Sequence, residues 1–220
     1  MAYSKKPMRR SALIGPWGVG AIVPFPNDES LMIAGLDMWR YSSTDSFIIK
    51  DDRLQKRLGV KELRWPPDFR DRNVDPKNCN LTIPAVRFPR WHYCPFCGGM
   101  QKVGFFTKQP VCDAYPWEHG RKCNPKAKFK RKLIPERFVV VCPDGHIDDF
   151  PVAEWVHFDS GHTYDPSTCR IRRSTGGTSA ALTGVRYECT CGASKTIANA
   201  VRPGALKRIG YSCKGTKPWL

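Results

Sequence analysis

The chain has 220 residues, 36 Lys and Arg against 20 Asp and Glu, a formal charge of +16, and 41% hydrophobic residues. It is long enough for one substantial domain, and a mean apolar fraction only slightly below the globular norm argues for a folded chain rather than a disordered one. No run approaches the ~20 apolar residues that a membrane-spanning helix needs. The basic start, with Lys5, Lys6, Arg9 and Arg10 ahead of an apolar stretch, is not read as a secretory signal, because Gly15, Pro16, Gly18 and Gly20 interrupt that stretch and no small-x-small pattern follows. A cytoplasmic, reducing setting is the expectation, and among the ten cysteines it favours zinc thiolates over disulfides.

In chain order, residues 18–24 and 30–34 read as two extended segments joined by Pro26-Asn27-Asp28, a hairpin pattern. Leu54 and Leu58, four apart among charges, predict a short amphipathic helix over 50–58 that ends at Gly59. Trp65-Pro66-Pro67 and the polar stretch 71–80 predict an irregular connection, with Cys79 as a core thiol. Further on, residues 138–142 read as a buried strand from their β-branched content, 147–158 as helical, 182–188 as strand and 196–201 as a short helix. With 19 Pro and 18 Gly the connections are long. The expected fold class is therefore α+β, a small irregular mixed strand and helix core with two zinc-stabilised modules and much loop. The expected division is 1–85, a hairpin with short helices, and 86–220, a zinc-binding region with two cysteine-rich modules packed as one unit.

Residues 86–99 bring a strand into Cys94-Pro95-Phe96-Cys97-Gly98, the knuckle in which backbone amides face thiolate sulfur and glycine permits a positive φ. Cys94, Cys97, Cys112 and Cys123 have spacings x2, x14 and x10, which suit one tetrahedral site. Cys169, Cys189, Cys191 and Cys213 are the candidate second set, although Cys189-x-Cys191 is tighter than the usual knuckle. Cys142 and His146, four apart across a turn, are substitutes that could join either set. Two zinc ions are the expected cofactors, and with about −2 per four-thiolate site the chain stays strongly basic.

Between the modules, residues 121–132 hold seven basic side chains in twelve and no acid: Arg121, Lys122, Lys126, Lys128, Lys130, Arg131 and Lys132. Such density favours phosphate, through release of condensed counterions. If that segment is extended, the alternation of Lys126, Lys128 and Lys130 puts them on one face. Arg170, Arg172 and Arg173 form a candidate second patch, and DNA is the expected partner. Trp91, Phe96 and Phe129 have faces on which bases could stack, against the more ordinary role of packing beside the cysteines.

Enzymatic chemistry has one foothold. Asp144, His146, Asp148 and Asp149 are of the type that holds Mg²⁺ for phosphodiester hydrolysis, so a metal-dependent nuclease is the alternative function and a pure assembly scaffold the other. The same acids have a bland reading as a turn and a helix start. Gly15-Pro16-Trp17-Gly18-Val19-Gly20 lacks the Gly-Lys-Ser/Thr of a P-loop, so no ATPase machinery is visible.

Several separated segments resemble a known family. They are Arg10-Ser11-Ala12-Leu13-Ile14-Gly15-Pro16-Trp17-Gly18-Val19-Gly20-Ala21-Ile22-Val23 with Met32-Ile33-Ala34-Gly35-Leu36-Asp37, then Arg87-Phe88-Pro89-Arg90-Trp91-His92-Tyr93-Cys94-Pro95-Phe96-Cys97-Gly98, Phe138-Val139-Val140-Val141-Cys142-Pro143-Asp144-Gly145-His146-Ile147-Asp148-Asp149-Phe150-Pro151, and Cys213-Lys214-Gly215-Thr216-Lys217-Pro218-Trp219-Leu220. In this order they are similar to the N-terminal part of the DrmB proteins of the DISARM antiphage system. Members of that family are considerably longer and continue into a C-terminal domain of unknown function. The resemblance implies a defence protein without catalysis of its own, which pairs with the superfamily 2 helicase DrmA and helps the pair engage foreign DNA.

Overall fold

A computed structural model describes residues 10–25, 28–39, 47–66, 83–176 and 182–220. The connection expected over 71–80, Cys79 and the first two residues of the Pro26-Asn27-Asp28 turn lie outside these. The fold is α+β, with short helices and five small antiparallel sheets among the described residues. The chain divides into two compact units, Met1–Val86 with Pro218–Leu220, and Arg87–Lys217.

In the first unit, β1 (Ile22–Phe25) pairs antiparallel with β2 (Glu29–Ile33), Ile22 opposite Met32 and Phe25 opposite Glu29. The alternation of the strands buries Val23 and Ile33, which form a small core with Leu13 and Trp39. A two-stranded ladder joins β3 (Ile48–Ile49) and β4 (Leu63–Arg64) around α1 (Asp52–Leu58). The helix starts where the Asp51 carboxylate accepts the Leu54 N–H, and stops at Gly59, whose φ of 65° only glycine adopts without strain. Its two leucines are not core residues: Leu54 and Leu58 are exposed. β5 (Ala85–Arg87) completes the sheet in the order β1-β2-β5. Gly20, with φ 81°, faces the indole of Trp219, so this glycine of the Gly-Pro-Trp-Gly-Val-Gly stretch makes room for a ring rather than a phosphate.

The second unit carries β6 (Trp91–Tyr93), β7 (Met100–Lys102), β8 (Ile134–Pro135), β9 (Val139–Val141), β10 (Ile147–Asp149), α2 (Val152–His157), β11 (Ile171–Thr175), β12 (Val185–Cys189), β13 (Ser194–Thr196) and α3 (Ala205–Arg208). Three antiparallel sheets result, β7-β6-β8, β10-β9 and β11-β12-β13. Helix α2 supplies Val152, Trp155 and Val156 to the main core, where they meet Ile171, Tyr187 and Ile197. The Trp155 indole N–H also reaches the Thr196 carbonyl at 3.1 Å. Two expectations are corrected here. The predicted helix over 147–158 is a strand followed by a shorter helix, because Ile147–Asp149 pair with Val139–Val141 before Pro151 starts the turn. The Val139–Val141 strand is not buried, since the ladder has only two strands and leaves Val141 67% exposed. Among the described residues no helix is long and apolar enough to cross a membrane.

Candidate metal centres and basic surface

The first centre begins as a hairpin. Strand β6 delivers Cys94 into a turn, β7 returns antiparallel with Tyr93 opposite Met100, and the Gly98 N–H donates to the Cys94 carbonyl at 2.9 Å. Gly98 has φ 78°, and a Cβ there would overlap the Arg173 carbonyl oxygen. Gly98→Ala combines left-handed strain with a backbone collision, and a loss of about 3 kcal/mol in denaturant unfolding is the expected result. A second segment brings Cys112, whose N–H donates to Arg131 O at 2.8 Å, while Leu133 N–H donates to Pro110 O at 3.0 Å.

The four sulfurs of Cys94, Cys97, Cys112 and Cys123 lie within 4.8 Å of one another. Cys94 and Cys123 are 3.6 Å apart and Cys97 and Cys112 3.7 Å, and all four thiols are free. A disulfide would need ~2.05 Å. Tetrahedral Zn–S bonds of ~2.3 Å place sulfurs ~3.8 Å apart, so the donor set has the size of a zinc site. Electrostatics agree. Burial raises the Cys112 thiol well above its ordinary range and pushes Cys123 up to about 11, with the neighbouring Cys94 and Cys97 sulfurs adding to both. Burial also opposes ionisation of Cys94, but the N–H groups of Cys97 and Phe96 together with the Cys123 and Cys97 thiols hold that group below its usual value. Ionisation of Cys94 is favoured and that of Cys112 and Cys123 penalised, a penalty a bound divalent cation offsets.

The second centre corrects the expected set. Cys169, Cys189 and Cys191 come together, but their fourth neighbour is His157, and all four donors lie within 4.8 Å of one another. His157 ends helix α2, and its Nδ1 lies 2.7 Å from the Ala153 carbonyl, so that nitrogen carries the proton and Nε2 presents its lone pair. Nε2 is 3.4 Å from the Cys191 sulfur and 3.8 Å from that of Cys169, bracketing the ~3.6 Å expected when Zn–N is ~2.05 Å and Zn–S ~2.3 Å. The tight Cys189-x-Cys191 spacing is accommodated by Gly192 at φ 94°, which lets the turn between β12 and β13 close with Cys189 N–H on Ala193 O at 2.8 Å. Burial pushes Cys189 up to about 11. Cys213 lies elsewhere, grouped with Cys142 and His146, because the chain after α3 returns to the β9–β10 hairpin, where Ile147 N–H donates to Thr216 O at 3.1 Å. Cys142 and His146 thus join neither four-donor set.

His157 carries a signal that sequence inspection missed: an imidazole closing the apolar run of α2, twelve residues before Cys169.

The basic candidates separate into two kinds. Arg121, Lys122, Lys126, Lys128, Lys130, Arg131 and Lys132 are exposed along an irregular segment next to the first centre. This segment is not a strand: Asn124 Oδ1 accepts the Lys126 N–H at 2.9 Å in a local turn, so the alternating lysines do not share a strand face. Phe129 stands 78% exposed in the midst of these cations. Phe96, by contrast, packs on the cysteine core under Arg131, whose guanidinium carbon is 4.2 Å from its ring centre, and Trp91 packs on the main core. Arg172 and Arg173 are occupied. Arg172 pairs with Glu188 at 2.6 Å and also donates to His119 O, while Arg173 lies 3.2 Å from the buried Glu136 and over Tyr93. Arg170 donates to the carbonyls of Pro166 and Cys169.

Asp144, His146, Asp148 and Asp149 do not converge. Asp149 is buried on β10, where it accepts the Arg90 N–H at 2.6 Å and faces Lys102 Nζ at 3.6 Å, and burial holds its carboxyl above the usual range. Asp148 accepts the Asp149 N–H and the Thr216 hydroxyl. His146 turns to the Cys142 and Cys213 sulfurs. Among the described residues no metal-holding group of three or more donors contains a carboxylate.

A family described as "Domain of unknown function (DUF8724)" matches residues 9–220, almost the whole chain. The protein belongs to the DUF8724 family. This DUF8724 chain is also similar to the DISARM protein DrmB of Bacillus paralicheniformis, 26% identical over 192 residues, or 87% of its own length. It spans 30% of that relative, in keeping with a resemblance to the N-terminal part of DrmB. The DUF8724 match includes all nine cysteines that the described residues contain, and so both four-donor centres.

Proposed function

We propose that this chain is a zinc-stabilised, non-catalytic DNA-binding component of a DISARM antiphage system, working in the cytoplasm beside a superfamily 2 helicase of the DrmA type. The similarity to DrmB supports the assignment to the defence system, and the helicase partner follows from the segments that resemble the DrmB family. The observation that carries DNA binding is the exposed run of Arg121, Lys122, Lys126, Lys128, Lys130, Arg131 and Lys132, which no described carboxylate neutralises and which the first cysteine centre anchors at Cys123. Phosphate is the natural counterion for such a segment. Phe129 adds an exposed ring with Lys128 Nζ 5.7 Å from its centre, a stacking platform beside a cation, which favours DNA with some single-stranded character. Arg170, Arg172 and Arg173 are assigned a minor part, because the ion pairs to Glu188 and Glu136 already use the last two guanidinium groups. Two zinc ions, one in each four-donor centre, hold the unit together.

The test is DNA affinity of the purified chain titrated against salt, for the wild type and for a Lys126→Glu, Lys128→Glu, Lys130→Glu variant with zinc content checked on the same samples. Wild-type binding should weaken steeply with salt, and the variant should lose at least about tenfold in affinity, with a log–log salt slope shallower by about 3. Equal affinities and slopes would move the charge to a protein partner and make the chain an assembly scaffold. Cleavage of the DNA on adding Mg²⁺ would revive the nuclease.

A further inference from the structure

Beyond the two four-donor centres, the described residues hold one more cluster of metal-ligating atoms. Cys142, His146 and Cys213 offer two sulfurs and an imidazole nitrogen within 4.8 Å of one another. The geometry is not that of chance neighbours. Cys142 Sγ is 3.3 Å from His146 Nδ1, and Cys213 Sγ is 3.6 Å from the same nitrogen, close to the ~3.6 Å N···S edge of a tetrahedral zinc site. The β9–β10 turn closes with Cys142 N–H on His146 O at 3.1 Å and Gly145 N–H on Cys142 O at 3.0 Å, placing the two ligands on the same side of one hairpin end. Cys213 arrives from 67 residues further along the chain. Its sulfur accepts the Gly215 N–H at 3.4 Å, the amide-to-sulfur contact that thiolate ligands commonly receive. Two bonds at Thr216 fix that segment on the hairpin: its carbonyl accepts the Ile147 N–H and its hydroxyl donates to the Asp148 carboxylate.

This cluster differs from the other two in both count and setting. The four-donor groups are almost entirely buried, whereas Cys142 and His146 are half-buried and Cys213 is exposed. Among the described residues, no fourth Cys, His, Asp or Glu joins it. Three protein donors with an accessible fourth position are the arrangement in which zinc keeps an exchangeable ligand, while four buried donors close the site.

We propose that Cys142, His146 and Cys213 form a third, solvent-facing zinc centre whose fourth position takes water or an exogenous soft donor such as a small thiolate. No step of chemistry is required of it; the site is a metal site with an open coordination position, and it stands independently of DNA binding.

Zinc is counted per chain in wild type, Cys213→Ser and His146→Ala, and each protein is then reconstituted with Co²⁺, whose visible spectrum reports donor number and type. Three ions in the wild type, two in each variant, and a Co²⁺ band component that shifts on adding 2-mercaptoethanol in wild type but not in the variants are the expected results. Because the site is at the surface, both variants should retain the cooperative unfolding of the wild type. Two ions in wild type and in both variants would overturn the site. Three ions with a spectrum unmoved by the thiol would overturn the open position, and a Cys142–Cys213 disulfide in protein purified without reductant would replace the metal with a covalent link.

Discussion

Cys97→Ser should remove one metal ion per chain and collapse the cooperative unfolding of the second unit. The reason lies in what the first centre is packed with. Its small core consists of Cys94, Cys97, Cys112, Trp117 and Leu133, so three of its five buried residues are themselves ligands. Without a cation, burial already penalises ionisation of Cys112 and Cys123, and a serine hydroxyl at position 97 is a far poorer zinc donor than a thiolate. Structural zinc contributes on the order of 10 kcal/mol to folding of small modules, against a net stability of about 5–15 kcal/mol for a whole domain. Losing even about 5 kcal/mol lowers Tm by about 15 °C for a unit of this size. Zinc stoichiometry and a thermal melt on the same sample check this, with Cys213→Ser as a control whose melt should stay close to that of the wild type. A Cys97→Ser protein with full zinc and an unchanged melt would remove the first centre from the account of stability.

The first centre was legible because its information is local. A knuckle ending in Gly98 belongs to a hairpin of β6 and β7, and each later ligand follows in order without competition from other cysteines. The β1–β2 hairpin and the end of α1 at Gly59 were legible for the same reason, since turn chemistry is decided within a few residues, whereas the Leu54 and Leu58 pair that pointed to the helix is exposed and the Asp51 cap that starts it went unread. What sequence could not supply is partner choice across distance. Cys213 is equally compatible with Cys191 or Cys142 by spacing, and only the return of the chain to the β9–β10 hairpin decides between them. The lysine alternation over 126–130 has the period of a strand but no partner strand to pair with, and Pro125 with the Asn124 turn bends the segment instead. Arg172 and Arg173 belong to a basic run in sequence, yet Glu188 and Glu136, brought in by the fold, take their charge.

The membership of the second centre gives the other large effect. His157→Ala is expected to cost one metal ion and several kcal/mol, because the imidazole is both a ligand and part of the end of α2, whose Val152, Trp155 and Val156 form the middle of the main core. Leaving Cys169, Cys189 and Cys191 with three donors weakens binding, and the released helix end loses its tie to the β12–β13 turn. Counting ions in double variants identifies who shares a site. His157→Ala with Cys191→Ser should lose the same single ion as either change alone, since both empty one centre. Cys191→Ser with Cys213→Ser should lose more metal than Cys191→Ser alone, because Cys213 serves a different cluster. If His157→Ala kept the wild-type metal content while Cys191→Ser and Cys213→Ser together lost only one ion, Cys213 would be the fourth ligand of the second centre after all, and the imidazole a buried core side chain held by the Ala153 carbonyl.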